Sequence, residues 1–145
     1  MIDPEQLIAR LLLAPAIMVA LAIVVKGYSQ PGDGFAAGTV MSLGLLVQYV
    51  TFGLDKVERV LPVRWLMRIA VTGCTVGFLV AFVPMIWDKP VLSHWPGPED
   101  EAVTVGIMEV GTVLAFDLGV AMLVVGAITG ILAIIGAAAD EETAP

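Results

Sequence analysis

Four long apolar runs, separated by short polar segments, cover residues 7–25, 35–53, 65–86 and 103–136. A helix needs about 20 apolar residues to cross the ~30 Å hydrocarbon core of a bilayer. Each run is about that long or longer. The pattern predicts an all-α integral membrane protein, a bundle of four transmembrane helices, with an acidic tail at residues 140–145.

Lysine and arginine residues near the ends of the runs set the predicted orientation. With four spans, both termini and the middle loop share one side of the membrane. That side carries the basic residues Arg10, Lys56, Arg59, Arg64 and Arg68. The opposite side carries Lys26 and Lys89. Because basic segments stay in the cytoplasm, we predict cytoplasmic termini in a cell-membrane protein, and we expect the basic middle loop to contact membrane lipid.

Composition supports a membrane location and argues against several classes of function. Of the 145 residues, 59% are hydrophobic and 14% are charged, whereas roughly a quarter are charged in an average soluble protein. The net charge of -7 argues against nucleic-acid binding, which needs a basic face. With one cysteine, Cys74, and no His/Cys cluster, we predict neither a metal site nor a cofactor. We also predict no enzymatic activity, since no serine or threonine has a base at a plausible spacing.

Small residues at helical spacing mark the predicted contact faces between helices. The third run has Gly73 and Gly77, and the fourth has Gly126 and Gly130, with Gly119 one heptad earlier. Helix association in lipid depends on close packing of backbones, which glycine permits. The chain is therefore predicted to pack against other helices, as part of a larger assembly.

The fourth run contains two carboxylates, Asp117 about halfway along it and Glu109 two helical turns earlier. A charged side chain at a helix centre costs roughly 2.5–3.5 kcal/mol on insertion scales, so it normally faces protein or water. On an ideal helix Asp117 lies opposite the glycine face. We expect Asp117, with Glu109, to border a proton or cation path. The alternatives are a structural, hydrogen-bonded Asp117 and a Glu109 near the outer interface.

Two stretches resemble the B subunit of the Mrp-type multisubunit cation/proton antiporter, the MnhB-like family. The first is Gly27-Tyr-Ser-Gln-Pro-Gly-Asp-Gly-Phe35, followed by Gly38 and by Gln48-Tyr49. The usual form in the family is close to Gly-His-Asn-x-Pro-Gly-Gly-Gly-Phe. The second stretch begins Phe116-Asp-Leu-Gly-Val120 and is similar to Phe-Asp-Ile-Gly-Val in the family's last helix. The matching loop residues are Gly27, Pro31, Gly32, Gly34, Phe35 and Gly38.

The chain departs from the family pattern at three loop positions. Tyr28 and Ser29 stand where the family often has His and Asn, so a role for that histidine does not carry over. Asp33 replaces a glycine and is expected to be a turn residue. His94, in a different loop, has no partner ligand nearby in the sequence and is expected to be a plain loop residue.

The resemblance implies a small component of a hetero-oligomeric antiporter that exchanges Na⁺ for H⁺ together with other membrane subunits. In assemblies of this family the lysine-rich proton channels belong to larger subunits. In this chain Lys26, Lys56 and Lys89 all lie in predicted loops. We expect the chain to help form the ion path at an interface between subunits, with Asp117 the best-placed group. Two alternatives stay open: a purely structural role in that complex, or the equivalent module of a membrane-bound hydrogenase-type complex.

Overall fold

The computed structural model describes residues 3–26, 32–97, 104–105, 108–109 and 111–143. Within them, four helices are long and apolar enough to cross a membrane: Pro4–Lys26, Asp33–Phe52, Val63–Trp87 and Thr112–Ala139. The predicted all-α bundle of four transmembrane helices is confirmed.

Five α-helices make up nearly all of the described structure. They are α1 (Pro4–Lys26), α2 (Asp33–Phe52), α3 (Leu54–Val60), α4 (Val63–Phe82) and α5 (Thr112–Thr143). A 3₁₀ helix, Val83–Trp87, extends α4. The two-residue strands β1 (Thr104–Val105) and β2 (Met108–Glu109) pair antiparallel before α5.

The long helices pack in the order α1, α2, α5, α4. In the most apolar window of each helix, 33% of α2 and 39% of α5 is buried, against 11% for both α1 and the α4 segment. A polar side chain on α2 or α5 can therefore face protein and avoid contact with lipid.

Glycines let α4 and α5 approach each other closely. A Cβ added at Gly119 would lie 2.9 Å from the carbonyl oxygen of Gly73, and one at Gly126 would overlap the carbonyl oxygen of Leu66. A Cβ added at Gly130 would lie 3.7 Å from the end of the Met67 side chain, an ordinary van der Waals contact. A Cβ added at Gly77 would meet no atom of the described part of the chain within 4 Å, so this position has room for a side chain.

The fourth membrane helix begins later than the sequence predicts. The prediction starts the run at residue 103, but α5 begins at Thr112, whose backbone N–H donates to the Trp95 carbonyl oxygen at 2.8 Å. Glycines at positions 106 and 111 disfavour helix, and β-branched residues at 104 and 105 favour strand. At its other end α5 extends to Thr143, so the predicted acidic tail is helical over residues 140–143.

This later start corrects the predicted positions of both carboxylates. Glu109 lies in β2, so the expectation that it precedes Asp117 by two turns of one helix is wrong. Asp117 lies five residues after the start of α5, about 7.5 Å along the axis. It is therefore near one end of the helix and not near its middle.

The middle loop also contains more structure than its polar sequence suggests. Residues 54–64 are expected from the sequence to form a loop, but Leu54–Val60 forms the short helix α3. Gly53, with φ 81°, separates α3 from α2. Pro62 precedes α4 and restricts the backbone before it to extended conformations, which ends α3.

Candidate functional site at the contact of α2 and α5

Asp117 is completely buried, with 0% of its side chain exposed. Its Oδ1 accepts a hydrogen bond of 3.0 Å from the backbone N–H of Gly32, the residue that precedes α2. The first N–H groups of a helix have no partner within the helix and carry a partial positive charge. Gly32 has no side chain to cap them. Asp117, 85 residues away, therefore places a carboxylate at the N-terminus of α2.

The glycines of the loop motif allow this contact. Gly32 has φ 129°, which strains any residue with a side chain. A Cβ added at Gly34 would overlap the backbone carbonyl oxygen of Asp117. One added at Gly38 would lie 2.7 Å from Cβ of Val124 and 2.9 Å from the carbonyl oxygen of Ala121. The two motif stretches of the sequence are thus one contact in the fold.

The remaining loop-motif residues are either exposed or outside the described part of the chain. Phe35 is 61% exposed. Asp33 is the first residue of α2 and is half-buried. Gly27 and Pro31 lie outside the described residues. Among the described residues of the motif, Gly32, Gly34 and Gly38 make the contact with α5.

The second carboxylate oxygen of Asp117, Oδ2, is buried and accepts no hydrogen bond from any described residue. No group of three or more His, Cys, Asp or Glu side chains gathers around a common point in the described ranges. In the described part of the chain, one oxygen of this carboxylate is therefore held by a helix terminus. The other oxygen has no partner among those residues, and a carboxylate oxygen can take a proton or contact a monovalent cation.

An apolar cluster lies beside this carboxylate. Ala20 and Val24 of α1, Ala37 of α2 and Ala121 of α5 form its buried centre, and Leu114 packs against it. Small side chains bring three helices together at this end of the bundle. These side chains offer no polar group to the Asp117 carboxylate. Among the described residues, the N-terminus of α2 is therefore the main feature that stabilises this side chain.

His94 makes contacts near the start of α5 that its sequence context does not predict. Its Nδ1 lies 3.4 Å from Oγ1 of Thr112, and its ring lies edge-on to that of Phe116, with centroids 6.2 Å apart. The same Thr112 hydroxyl accepts a 2.7 Å hydrogen bond from the backbone N–H of Trp95. The sequence feature that indicates these contacts is a threonine at the start of a helix, because threonine often caps helix N-termini. His94 therefore helps to hold the loop against the helix that carries Asp117.

The Gln48-Tyr49 step lies toward the opposite end of α2 and connects its neighbours. Nε2 of Gln48, which is buried, donates a 2.6 Å hydrogen bond to the carbonyl oxygen of Ala9 in α1. The Tyr49 hydroxyl donates to the carbonyl oxygen of Leu61 at 3.4 Å. Both residues of this step make structural contacts.

Thr129 provides a control site on the same helix. It is fully buried, and its Oγ1 has no hydrogen-bond partner among the described residues. We expect Thr129→Val to leave stability unchanged or to raise it by up to about 1 kcal/mol, because it removes a buried, unpaired hydroxyl and keeps the side-chain shape. The melting temperature of the purified protein measures this. A clear decrease would show that the hydroxyl has a partner.

A model of the family described as "Domain related to MnhB subunit of Na+/H+ antiporter" matches residues 5–130. The match covers most of the chain and includes Gly32, Gly34 and Asp117. The chain belongs to this family. The resemblance drawn from the two motif stretches is thereby confirmed, and the MnhB-family chain is a multi-pass membrane protein with four candidate spans.

Individual relatives agree with the family match. A probable K(+)/H(+) antiporter A/B subunit of Rhizobium meliloti (strain 1021) is 33% identical over 120 residues, which are 79% of this chain and 11% of that protein. A "Putative antiporter subunit mnhB2" of Staphylococcus aureus (strain Newman) is 28% identical over 106 residues, 73% of this chain and 74% of the relative. The chain thus corresponds to most of the second protein and to a small part of the first.

Proposed function

We propose that this MnhB-family chain is a small membrane subunit of a multisubunit monovalent cation/proton antiporter. In this proposal it is a transporter component and not an enzyme, and it works in a complex with other antiporter subunits in the cell membrane. The match to the family over residues 5–130 carries the proposal. The names of the two relatives, one from a K⁺/H⁺ antiporter and one from an antiporter of unspecified cation, leave Na⁺ and K⁺ both to be tested.

The contact between α2 and α5 is the proposed contribution of the chain to the ion path. Asp117 supports this role because it is fully buried and has one paired and one unpaired oxygen among the described contacts. The hydrogen bond from Gly32 to Oδ1 keeps the carboxylate in place. Oδ2 then accepts and releases a proton, or contacts the cation, during turnover.

The orientation predicted from the basic residues supports a position of this site near the outer surface. With cytoplasmic termini, α1 runs outward, α2 returns inward from Gly32, and α5 starts on the outer side. Asp117 then lies about 7.5 Å into α5 from its outer end. In this arrangement the carboxylate borders the outer opening of the path, at an interface with a neighbouring subunit.

A structural role is the second candidate, and one observation favours it. The hydrogen bond from Gly32 to Asp117 joins helices that are distant in sequence, so the carboxylate contributes to the fold whether or not it also titrates. In this alternative the glycine contacts and Asp117 serve assembly alone. The two candidates differ in the result expected for Asp117→Asn, which keeps an acceptor oxygen but does not titrate as a carboxylate.

Participation in antiport is tested by deleting this chain from cells that carry the complex. Inverted membrane vesicles from these cells are energised, and proton release is followed with a pH-sensitive dye after addition of Na⁺ or of K⁺. We expect exchange to be lost on deletion and restored when the chain is expressed again. Wild-type exchange for both cations without the chain would refute the proposal.

A further inference from the structure

A groove lies between α1, α2 and α3, toward the end of the bundle opposite Asp117, with a volume of about 390 Å³. Its walls are mostly aliphatic, with Leu13 from α1, Leu45 from α2 and Val57 and Val60 from α3. The first two helices are candidate membrane spans. Lipid suits an apolar groove on such a surface better than water does, since water would solvate the aliphatic walls poorly.

Two basic side chains also line the groove. Arg10 projects from the second turn of α1 and Lys56 from the first turn of α3. The guanidinium of Arg10 lies over the ring of Phe52, 5.3 Å from its centroid, which holds this charge at the groove. Both basic residues are exposed on the surface of the chain, so a ligand entering from the bilayer can reach them.

The position of the charges along the helices fits the membrane interface. Arg10 is six residues from the start of α1, about 9 Å along the axis, and Lys56 lies four residues beyond the end of α2. Long basic side chains at this depth extend toward the headgroup region. Leu13 and Leu45 lie further from these ends of α1 and α2, toward the middle of the two membrane helices.

We propose that this groove is a binding site for an anionic phospholipid. The phosphate lies between Arg10 and Lys56, and an acyl chain lies along the aliphatic wall. Guanidinium and ammonium groups are the usual protein donors to phosphate, and basic pockets between membrane helices select anionic headgroups. Charge complementarity favours phosphatidylglycerol over zwitterionic phosphatidylcholine. The site is separate from Asp117 and does not depend on the proposed ion path.

The test uses the whole complex that contains this chain, in nanodiscs of phosphatidylcholine with a small fraction of phosphatidylglycerol. The phosphatidylglycerol carries a photoactivatable group in its acyl chain. After illumination, cross-linked peptides of α1 and α3 are quantified by mass spectrometry. We expect cross-links to Leu13 and Val57 with this probe, and much weaker labelling with an equivalent phosphatidylcholine probe. Equal labelling by the two lipids would overturn the proposed headgroup selectivity.

Variants separate this site from general attraction of anionic lipid. Arg10→Gln and Lys56→Gln should each reduce labelling about fivefold, as expected for one charge near a membrane surface. Val57→Trp should reduce it by filling the groove without changing the charge. Arg59→Gln is the matched control, because Arg59 is on the same short helix but does not line the groove. We expect the lipid probe to label Arg59→Gln to the same extent as the wild type.

Three further results would contradict the proposal. One is an equal loss of labelling in Arg59→Gln, which would indicate diffuse electrostatic attraction. Another is wild-type labelling in Val57→Trp and in both charge variants, provided that the complexes are intact by native gel. The third is displacement of the probe by millimolar inorganic phosphate, which would mean that the acyl chain does not determine binding.

Discussion

Replacing Gly34 with alanine is expected to destabilise the bundle by about 3 kcal/mol, the upper end of the range for overpacking. The added methyl group would overlap the backbone carbonyl oxygen of Asp117. Backbone cannot move aside as a flexible side chain does, so α2 and α5 must separate. This also weakens the hydrogen bond between Gly32 and Asp117. The amount of intact complex on a native gel, relative to total chain in the membrane, measures the effect.

The matched control for this variant is Gly77→Ala. It is the same substitution in another membrane helix, but the added Cβ would meet no atom of the described residues within 4 Å. We expect it to retain the wild-type amount of complex. If Gly34→Ala behaved like Gly77→Ala, the close contact of α2 with α5 would be wrong.

Replacing Asp117 with alanine is expected to lower stability by about 0.5–2 kcal/mol, the cost of losing a helix cap. The substitution removes the acceptor of the Gly32 N–H, leaving that donor unpaired at the N-terminus of α2. The melting temperature of the purified complex is the measurement.

A comparison with Asp117→Asn isolates the cause. Asparagine keeps a side-chain oxygen that can accept from Gly32, so we expect its melting temperature to lie near that of the wild type. Equal and large decreases in the two variants would show that the negative charge stabilises the fold, and not the hydrogen bond alone. No decrease in either would show that Asp117 does not cap α2.

The hydrophobic pattern was sufficient to predict the four membrane helices, because each apolar run is long enough to cross a bilayer. It was insufficient for the start of α5. Residues 103–111 are apolar enough to extend a span, but their glycines and β-branched residues favour a turn and strands. Average hydrophobicity does not report this local preference. Both the depth of Asp117 and the position of Glu109 were therefore misplaced.

The partner of Asp117 could not be predicted from the sequence. A carboxylate in an apolar run signals a buried polar contact, which identified the residue itself. Its acceptor role toward Gly32 depends on which helices are adjacent, and Gly32 lies 85 positions away. Glycine spacing does not specify the order α1, α2, α5, α4. The loop motif and the Phe116-Asp117 stretch were interpreted as two features, whereas the fold brings them into one contact.

This contact gives a physical reason for the sequence of the loop motif. Gly32 needs a backbone conformation that other residues rarely adopt, and Gly34 and Gly38 need to lack a side chain because α5 is so close. Asp33, which replaces a glycine of the usual motif, is half-buried in the first turn of α2. A carboxylate there is compatible with the positive end of the helix.

The proposal that Asp117 titrates or binds the cation during transport is tested by measuring exchange in Asp117→Asn. Inverted vesicles containing the intact complex are assayed for Na⁺/H⁺ and K⁺/H⁺ exchange across a range of pH, with Thr129→Val as the control on the same helix. We predict an assembled Asp117→Asn complex with exchange reduced at least about tenfold, equivalent to about 1.4 kcal/mol, and wild-type exchange in Thr129→Val. An assembled Asp117→Asn complex with wild-type exchange and pH profile would contradict the proposal.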